Sequence, residues 1–283
     1  MRCIVPTLAG CVAFTLAIAV HPGARALGDT PCGRLEPGPT HSVTRIVDGE
    51  TVVLDDGREL RLIGALAPRA ADADAEPGTW PMETATLEAL RALVLGKSIA
   101  LGFAGARADR YGRLQAHAFL IEGEARRWVQ GALLERGRAR AYALADHREC
   151  RDELLAAERG AREAGLGLWG EAAYQVRPAD KPAELMRYRT TFQIVEGRLV
   201  RVAQVRDTIY LNFGRDWRHA FSVSLRRDDS GLLGAYAGNA RGLEGRTVRV
   251  RGWIEERGGA PIIDMSTGGL IEVLETPVRP DAR

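Results

Sequence analysis

A hairpin signature near the start of the chain constrains the fold more than any other sequence feature. Residues 43–54 alternate imperfectly between apolar and polar side chains, as a strand does, and Asp55-Asp56-Gly57 then supplies a tight turn. The chain returns as a second strand over Glu59–Ile63, with two leucines on one face and Arg61 on the other. This pattern predicts an antiparallel sheet with one buried face.

The rest of the first half mixes strands with three helices, each of which ends near a glycine. The predicted elements are a helix from Pro81 to Gly96, strands over 98–103 and 114–121 around the turn Asp109–Arg113, and helices over 124–136 and 149–164.

The second half is predicted to be almost entirely strand. One helical piece, near Leu232–Ala240, precedes the fourth strand, which suits a small Greek-key barrel of the oligonucleotide-binding (OB) type. The predicted strands cover 192–202, 208–213, 220–225, 247–254, 261–265 and 270–274.

The N-terminus predicts export. Arg2 is followed by an apolar run over Cys3–Val20 and by the small-residue cleavage pattern Ala24-Arg25-Ala26, as in a secretory signal peptide. We therefore expect a periplasmic or extracellular protein with no stable membrane span after cleavage. A membrane anchor is one alternative, and lipidation at Cys11 is another, because Leu8–Cys11 resembles a lipoprotein cleavage box.

Charge argues against a uniformly basic nucleic-acid binder. Without residues 1–26, which hold two arginines and no acids, the formal charge of +2 becomes 0. Residues 27–184 carry 21 basic and 25 acidic side chains, and residues 185–283 carry 16 and 12. Phosphate binding would therefore need a local patch of positive charge. The alternative is that the two halves attract each other.

Two cysteines, Cys32 and Cys150, follow the predicted cleavage site. In an oxidising compartment they predict one disulfide, worth roughly 4 kcal/mol in the chain-entropy model. Metal binding by this pair is the alternative.

Several short motifs in the first half have the residue types that phosphodiester chemistry needs. They are VDGET, an arginine within RELRLIG, DRYGR, a helix ending in ERG, and GLGLWG. In this order they resemble the staphylococcal nuclease family over about 43–170. The resemblance implies a five-stranded barrel with helices that cleaves DNA or RNA with one calcium ion.

The resemblance also assigns roles to individual residues. Arg61 and Arg113 match the two phosphate-binding arginines, and Asp48 matches an acid of the calcium site. Glu50 stands where the family usually has aspartate, and Tyr111 matches a tyrosine that stacks on a base. Simpler alternatives for Arg61 and Tyr111 are a paired surface arginine and a residue that shapes its turn.

The sequence departs from the family at the positions that matter most for hydrolysis. Leu66 replaces a metal-ligand aspartate, Ala67 replaces a threonine that contributes its backbone, and Arg69 replaces the glutamate that positions or deprotonates water. A general base contributes typically 10²–10⁴-fold to a rate, and Arg69 would attract phosphate but repel calcium. We therefore favour a domain with no bound cofactor; calcium is the alternative, with Asp72, Asp74 and Glu76 as substitute ligands.

In the second half, the strand TVRVRGWI predicts Arg249, Arg251 and Trp253 on one face. A cationic and aromatic strip suits single-stranded nucleic acid, and the loop Asn212–His219 adds two arginines and a tryptophan. The alternative is a strand that packs on the first domain.

The predicted fold class is mainly β with helices (α+β): a staphylococcal nuclease-like OB barrel with three helices, then a second small OB-like barrel. The predicted organisation is a signal peptide (1–26), a tail (27–42), the nuclease-like domain (43–170), a linker (171–189), the OB-like domain (190–276) and a tail (277–283).

Three functional hypotheses follow from these motifs and departures. The favoured one is an exported protein that binds nucleic acid, DNA or RNA, or another phosphodiester polymer through a site that hydrolyses weakly or not at all. The second is an active, atypical metal-dependent phosphodiesterase or endonuclease. The third is an envelope protein-interaction module with an unknown partner.

Overall fold

The computed structural model describes residues 32, 34–76 and 78–274. The predicted signal peptide and the predicted C-terminal tail lie outside the described residues. None of the described helices combines the length and the apolar character that a membrane span requires.

Strands dominate the first half, and five of them close into a barrel. In chain order, the strands of the first half are β1 (Glu36–Ile46), β2 (Thr51–Leu54), β3 (Glu59–Leu62), β4 (Ala65–Leu66), β5 (Ser98–Phe103), β6 (Leu114–Glu122), β7 (Ala125–Trp128) and β8 (Arg140–Ala141). β1 pairs antiparallel with β2 and β5, β2 with β3, and β5 with β6. A parallel pairing of β3 with β6 closes the ring, which gives the strand connectivity of an OB barrel.

The predicted alternation in β3 is confirmed. Leu60 and Leu62 are buried in the barrel core, whereas Glu59 and Arg61 are partly exposed. Because side chains alternate along a strand, burial of the two leucines fixes Arg61 on the outer face.

Three element boundaries correct the sequence prediction. The strand predicted over 43–54 is two antiparallel strands, β1 and β2, joined by the loop 47–50. β1 begins at Glu36, inside the segment predicted to be a tail, because residues 36–42 pair with β5. The predicted helix over 124–136 is instead β7 followed by a shorter helix, since a hairpin at Gly123, with φ 65°, pairs residues 125–128 with β6.

Three helices accompany this barrel, as predicted: α1 (Pro81–Val94), α2 (Val129–Leu134) and α3 (Arg151–Glu163). Pro81 occupies the first turn of α1, where its missing N–H costs no hydrogen bond. α1 connects the third and fourth barrel strands, and Leu90, Leu93 and Val94 pack into the core.

The second half repeats the same connectivity. Its strands are β9 (Arg177–Pro178), β10 (Phe192–Arg198), β11 (Arg201–Val205), β12 (Thr208–Asn212), β13 (Ser222–Arg226), β14 (Thr247–Arg257), β15 (Ala260–Asp264) and β16 (Leu270–Leu274). β10 and β11 are nearly continuous and together form the first strand of the second barrel. β13 lies parallel to β15, and β14 pairs with β10 and β15. Short 3-10 segments, Arg227–Tyr236 and Ala240–Leu243, stand where the first barrel has α1.

The segment between the two barrels, predicted to be a linker, is packed and hydrogen-bonded. It contains α4 (Pro182–Leu185) and β9, which pairs in parallel with β10. Tyr174 is buried in an apolar cluster that joins the barrels. The members of that cluster from both halves include Leu66, Tyr142, Leu168, Trp169, Phe192 and Ile194.

A disulfide links Cys32 to Cys150, as predicted, with 4.8 Å between the Cα atoms. Both cysteines are buried, and Cys150 directly precedes α3. The bond therefore fixes the chain before β1 to the start of the helix that faces the second barrel.

Candidate functional site

The loop between β1 and β2 places two carboxylates beside the chain that follows β4. Asp48 is exposed, and its Oδ1 accepts the backbone N–H of Glu50 at 2.7 Å. Between them, Gly49 lies so close to Ala67 that an added Cβ would stand 2.7 Å from the Ala67 Cβ. Glycine at this position therefore lets the acidic loop pack directly against residues 65–69.

Glu50 is the centre of the site. Its side chain is only 4% exposed, and Oε1 accepts the Ala67 N–H at 2.9 Å and an Arg69 Nη2–H at 3.2 Å. Its Oε2 accepts from Arg61 Nη2 at 3.4 Å. Two cations and one backbone amide therefore surround a buried carboxylate, which satisfies its charge within the protein.

Arg61 lies on β3, and Arg113 directly precedes the neighbouring strand β6. Arg61 pairs in parallel with Gln115, and Arg113 stands two residues before Gln115, so both arginines point to one side of the sheet. Burial opposes the charge of Arg61, but attraction by Tyr142, Glu50 and Asp109 outweighs it and raises the pKa of the guanidinium. The Arg61 guanidinium therefore stays charged despite its burial.

Asp109 holds Arg113 in place. Its Oδ2 accepts from Arg113 Nε and lies equally near Nη2, with 2.7 Å in each case. Burial raises the pKa of Asp109, but the hydrogen bonds from Arg113 and the Tyr111 amide more than offset this, so the pKa is lowered overall. The guanidinium is thus preorganised, with 26% of the Arg113 side chain exposed.

Tyr111 stands at the tip of this turn, in the open. Its exposure is 67%, and the guanidinium carbons of Arg110 and Arg113 lie 4.8 and 5.2 Å from the ring centroid. An exposed ring beside two cations can stack on a flat ligand.

Leu66 and Arg69, two of the three departures from the family pattern, have opposite surroundings. Leu66 is buried in the cluster between the barrels, whereas the Arg69 side chain is 55% exposed and pairs with Glu50. A cation therefore occupies the position at which the resemblance expects a carboxylate.

The acidic loop after Arg69 adds no carboxylate to the pair formed by Asp48 and Glu50. Asp72 Oδ2 accepts from Arg140 Nη2, on β8, at 2.7 Å, and Asp74 and Glu76 are exposed. In the part of the chain that the structure describes, the one group of three side chains spaced to share a metal ion is His41, Asp55 and Asp56.

These three side chains are held by hydrogen bonds and ion pairs. His41 Nδ1 lies 2.8 Å from Asp55 Oδ1, and Arg58 pairs with Asp56 at 2.6 Å. The His41 Nε2 atom is buried without a partner among the described residues. A metal on Nδ1 would require a proton on that buried Nε2, so the geometry favours a hydrogen bond between Nδ1 and Asp55 over metal ligation.

Tyr142 is a site residue that no sequence motif indicates. Its hydroxyl is fully buried and has no hydrogen-bond partner among the described residues. Burial, followed by the charge of Glu50, raises its pKa to about 12, whereas Arg61 and Arg69 act in the opposite direction. The tyrosine lies within an apolar stretch of sequence. Only the structure shows that it is next to the charged groups of the site.

Burial and pairing of the side chains on β14 correct the prediction that this strand presents a nucleic-acid-binding strip. Arg251 is fully buried, and it donates to Glu158 at 2.7 Å and to Glu272 at 2.6 Å. Arg249 is held by Glu196 at 2.6 Å, and Trp253 packs against Phe192. The alternation was predicted correctly, but this face contacts the first barrel, as the alternative hypothesis had it.

The comparisons with known proteins agree with the barrel. The family model described as "Staphylococcal nuclease homologue" matches residues 59–171. No curated protein matches the chain. The matched region begins at β3, and the loop with Asp48 and Glu50 precedes it within the same closed ring. Residues 59–171 therefore form a staphylococcal nuclease-like domain.

Proposed function

We propose that this protein is exported and binds the phosphodiester backbone of nucleic acid on the face formed by Arg61, Arg69 and Arg113, with little or no hydrolysis. The observation that carries the proposal is the set of donors around Glu50: two arginines and one amide hold the carboxylate where the family would use it for metal binding.

Binding is supported by the chemistry of the face. Arg113 is preorganised by Asp109, and Arg69 is more than half exposed. Guanidinium groups make bidentate hydrogen bonds to phosphate. Tyr111 adds an exposed ring for an unstacked base, which contributes roughly 1–3 kcal/mol where such stacking occurs.

Weak hydrolysis follows from the residues around Glu50. Calcium prefers six to eight oxygen ligands, but Glu50 already accepts hydrogen bonds from three N–H groups, and Leu66 offers no oxygen from its side chain. These residues do not fit a calcium site as they stand. Arg69 cannot serve as a general base, because its guanidinium stays protonated.

Equilibrium binding of a short single-stranded oligonucleotide at several salt concentrations tests this proposal. Each phosphate contact that is lost should reduce the slope of log affinity against log salt by about 0.7 for a single strand. We expect that reduction in Arg61→Gln and in Arg113→Gln. Arg91→Gln, a change at an exposed arginine on α1, is the matched control and should leave the slope unchanged.

Calcium-dependent cleavage separates this proposal from an active phosphodiesterase. Turnover that requires calcium and disappears in Asp48→Ala would favour the active enzyme and contradict the absence of hydrolysis. Oligonucleotide binding that ignores salt in every variant would instead favour a protein-interaction module.

The proposal of export rests on the predicted signal peptide together with the disulfide. A buried disulfide between residues 118 positions apart is typical of an oxidising compartment. Cell fractionation with thiol labelling tests it: the protein should leave the cytoplasm, and Cys32 and Cys150 should resist labelling until a reductant is added.

A further inference from the structure

A second candidate site lies between the barrels, away from Glu50. A groove of about 780 Å³ runs between α3 and the second barrel. This volume is within the range of about 300–1,000 Å³ typical of small-molecule sites. One wall is α3, and the other consists of the segment 232–236 and strand β16.

Arginines form the α3 side of the groove. Arg151, Leu155, Arg159 and Arg162 recur at intervals of three or four residues, so they share one face of the helix. Arg151 is engaged, since it donates to Asp152 and to the Leu232 carbonyl. Arg159 and Arg162 make no side-chain hydrogen bond to any described residue.

Arg162 has unused donors in a buried position. Its side chain is only 13% exposed, and its Nε, although 3.3 Å from Glu158 Oε1, forms no hydrogen bond with it. Burial, followed by repulsion from Arg249, lowers its pKa despite the attraction of Glu158 and Glu272. The surroundings of this guanidinium therefore favour an added negative charge.

The acids at the groove do not neutralise that wall. Glu272 accepts from Arg251 at 2.6 Å, and Asp152 pairs with Arg151 at 3.0 Å. Glu163 is exposed. Arg249 also lines the groove and is bonded to Glu196.

The opposite wall is largely apolar. Leu233 and Ile271 are buried there, and Tyr236 and Val273 are partly buried beside them. A ligand that fits both walls has a charged end for the arginines and an apolar or aromatic body for the other side.

We propose that this groove binds a small organic phosphate, with the phosphate on Arg159 and Arg162 and a ring against Leu233 and Tyr236. A phosphate suits the site because it accepts several charge-assisted hydrogen bonds at once, as two neighbouring guanidinium groups require. Because its walls come from both barrels, an occupied groove also stabilises their packing.

Isothermal titration of the full chain, with its disulfide intact, tests this. The titration uses an Arg61→Gln background, so that phosphate binding on the first barrel does not contribute. The probes are a nucleoside monophosphate, the parent nucleoside and inorganic phosphate. We expect the monophosphate to bind at least about tenfold more tightly than either fragment, since only the monophosphate combines hydrogen bonds to the charged guanidinium groups with apolar contact to the other wall.

Two further variants locate the bound phosphate. Arg159→Gln, at an exposed position, and Arg162→Gln should each weaken monophosphate binding by about tenfold or more, whereas Arg91→Gln should not. Arg159→Gln keeps the test valid if Arg162→Gln impairs folding. Equal affinity in Arg159→Gln and its parent, or no binding of any probe at millimolar concentration, would overturn the proposal, and neither result depends on oligonucleotide binding by the first barrel.

Discussion

At the scale of the residue, Glu50 competes with any phosphate for the same arginines. Its carboxylate accepts from Arg61 and Arg69, and a bound phosphate would need those donors too. The side chain thus both positions the guanidinium groups and lowers the positive potential that a ligand meets.

We therefore expect Glu50→Gln to bind an oligonucleotide more tightly, by up to about tenfold, since one charge-assisted contact contributes on the order of 1.5 kcal/mol. Fluorescence anisotropy at fixed salt measures the change. Glu83→Gln is the matched control: Glu83 also accepts a backbone amide after β4, from Ala70 at 3.0 Å, but it pairs with no arginine among the described residues. Weaker binding in Glu50→Gln alone would show that positioning outweighs competition.

His117 is a buried base that titrates far from its usual range. It is 2% exposed and lies 3.3 Å from the Trp128 Nε1 donor. Burial, with a smaller contribution from His147, lowers its pKa from 6.5 to about 3. Between pH 6.5 and 3, His117 is therefore protonated in the unfolded chain but not in the folded chain. The free energy of unfolding decreases as pH falls through this window.

His117→Gln should flatten that decrease, because the glutamine can still accept from Trp128 but does not titrate. We expect the slope of unfolding free energy against pH to drop by about 1 kcal/mol per pH unit between pH 6 and 4. Urea denaturation across this range measures the slope. Parallel curves for the two proteins would contradict the assignment.

Residue-scale prediction from sequence worked where a motif fixed the local geometry. Arg61 lies beside Glu50 in the structure. Both residues could be singled out beforehand, because the hairpin alternation and the VDGET turn can be recognised in the sequence. Tyr142 was missed because its importance comes from three charges on other strands and loops.

At the scale of the element, β4 shows why the lost carboxylate is not simply replaceable. β4 pairs with β8, which directs Leu66 into the cluster with Tyr142 and Trp169. Where the resemblance expects a metal ligand, the strand contributes a leucine to the cluster that joins the two barrels.

Leu66→Asp should therefore destabilise the protein by about 3 kcal/mol or more, because it buries a carboxylate among apolar side chains. Leu66→Met, which conserves volume, should cost less than about 1.5 kcal/mol. Chemical denaturation of both variants gives the comparison. If Leu66→Asp were as stable as Leu66→Met and bound calcium, the leucine would not be a barrier to the metal site.

β14 marks the limit of what periodicity predicts. The alternation of TVRVRGWI correctly places Val248 and Val250 in the core and Arg249 and Arg251 on the other face. It contains no information on what lies opposite that face, which here is α3 and its Glu158. The same limit explains why the helix predicted over 124–136 begins only at Val129: the pairing of residues 125–128 with β6 outweighs local preference.

At the scale of the whole molecule, two barrels of the same connectivity are joined by a disulfide-anchored helix and a buried charge cluster. Glu158 on α3 is fully buried and accepts from the Ala141 amide and from Arg251, both at 2.7 Å. Arg251 also donates to Glu272 and to the Ala141 carbonyl. Neither the Glu158 nor the Arg251 side chain is exposed to solvent, so each needs an opposite charge within the protein.

This interdependence predicts a non-additive mutant cycle. Arg251→Met should cost about 3–5 kcal/mol, because the buried Glu158 loses its cation at 2.7 Å and keeps only Arg162, at 3.3 Å. Glu158→Leu should cost less, because Arg251 keeps Glu272 at 2.6 Å. The double variant should cost less than the sum by about 1–3 kcal/mol, since it removes both charges together. Urea unfolding, followed by tryptophan fluorescence and by circular dichroism, measures all four proteins.

Arg257→Met is the control, since Arg257 pairs with Asp264 at 3.0 Å on the surface, with 49% of its side chain exposed. It should cost less than about 1 kcal/mol. Because the cluster joins the barrels, the parent should unfold in one transition by both probes, whereas Arg251→Met should separate into two as the second barrel loses its partner. Additive costs within about 0.5 kcal/mol, with one transition throughout, would mean that apolar packing around Tyr142 and Phe192 holds the barrels together without the ion pair.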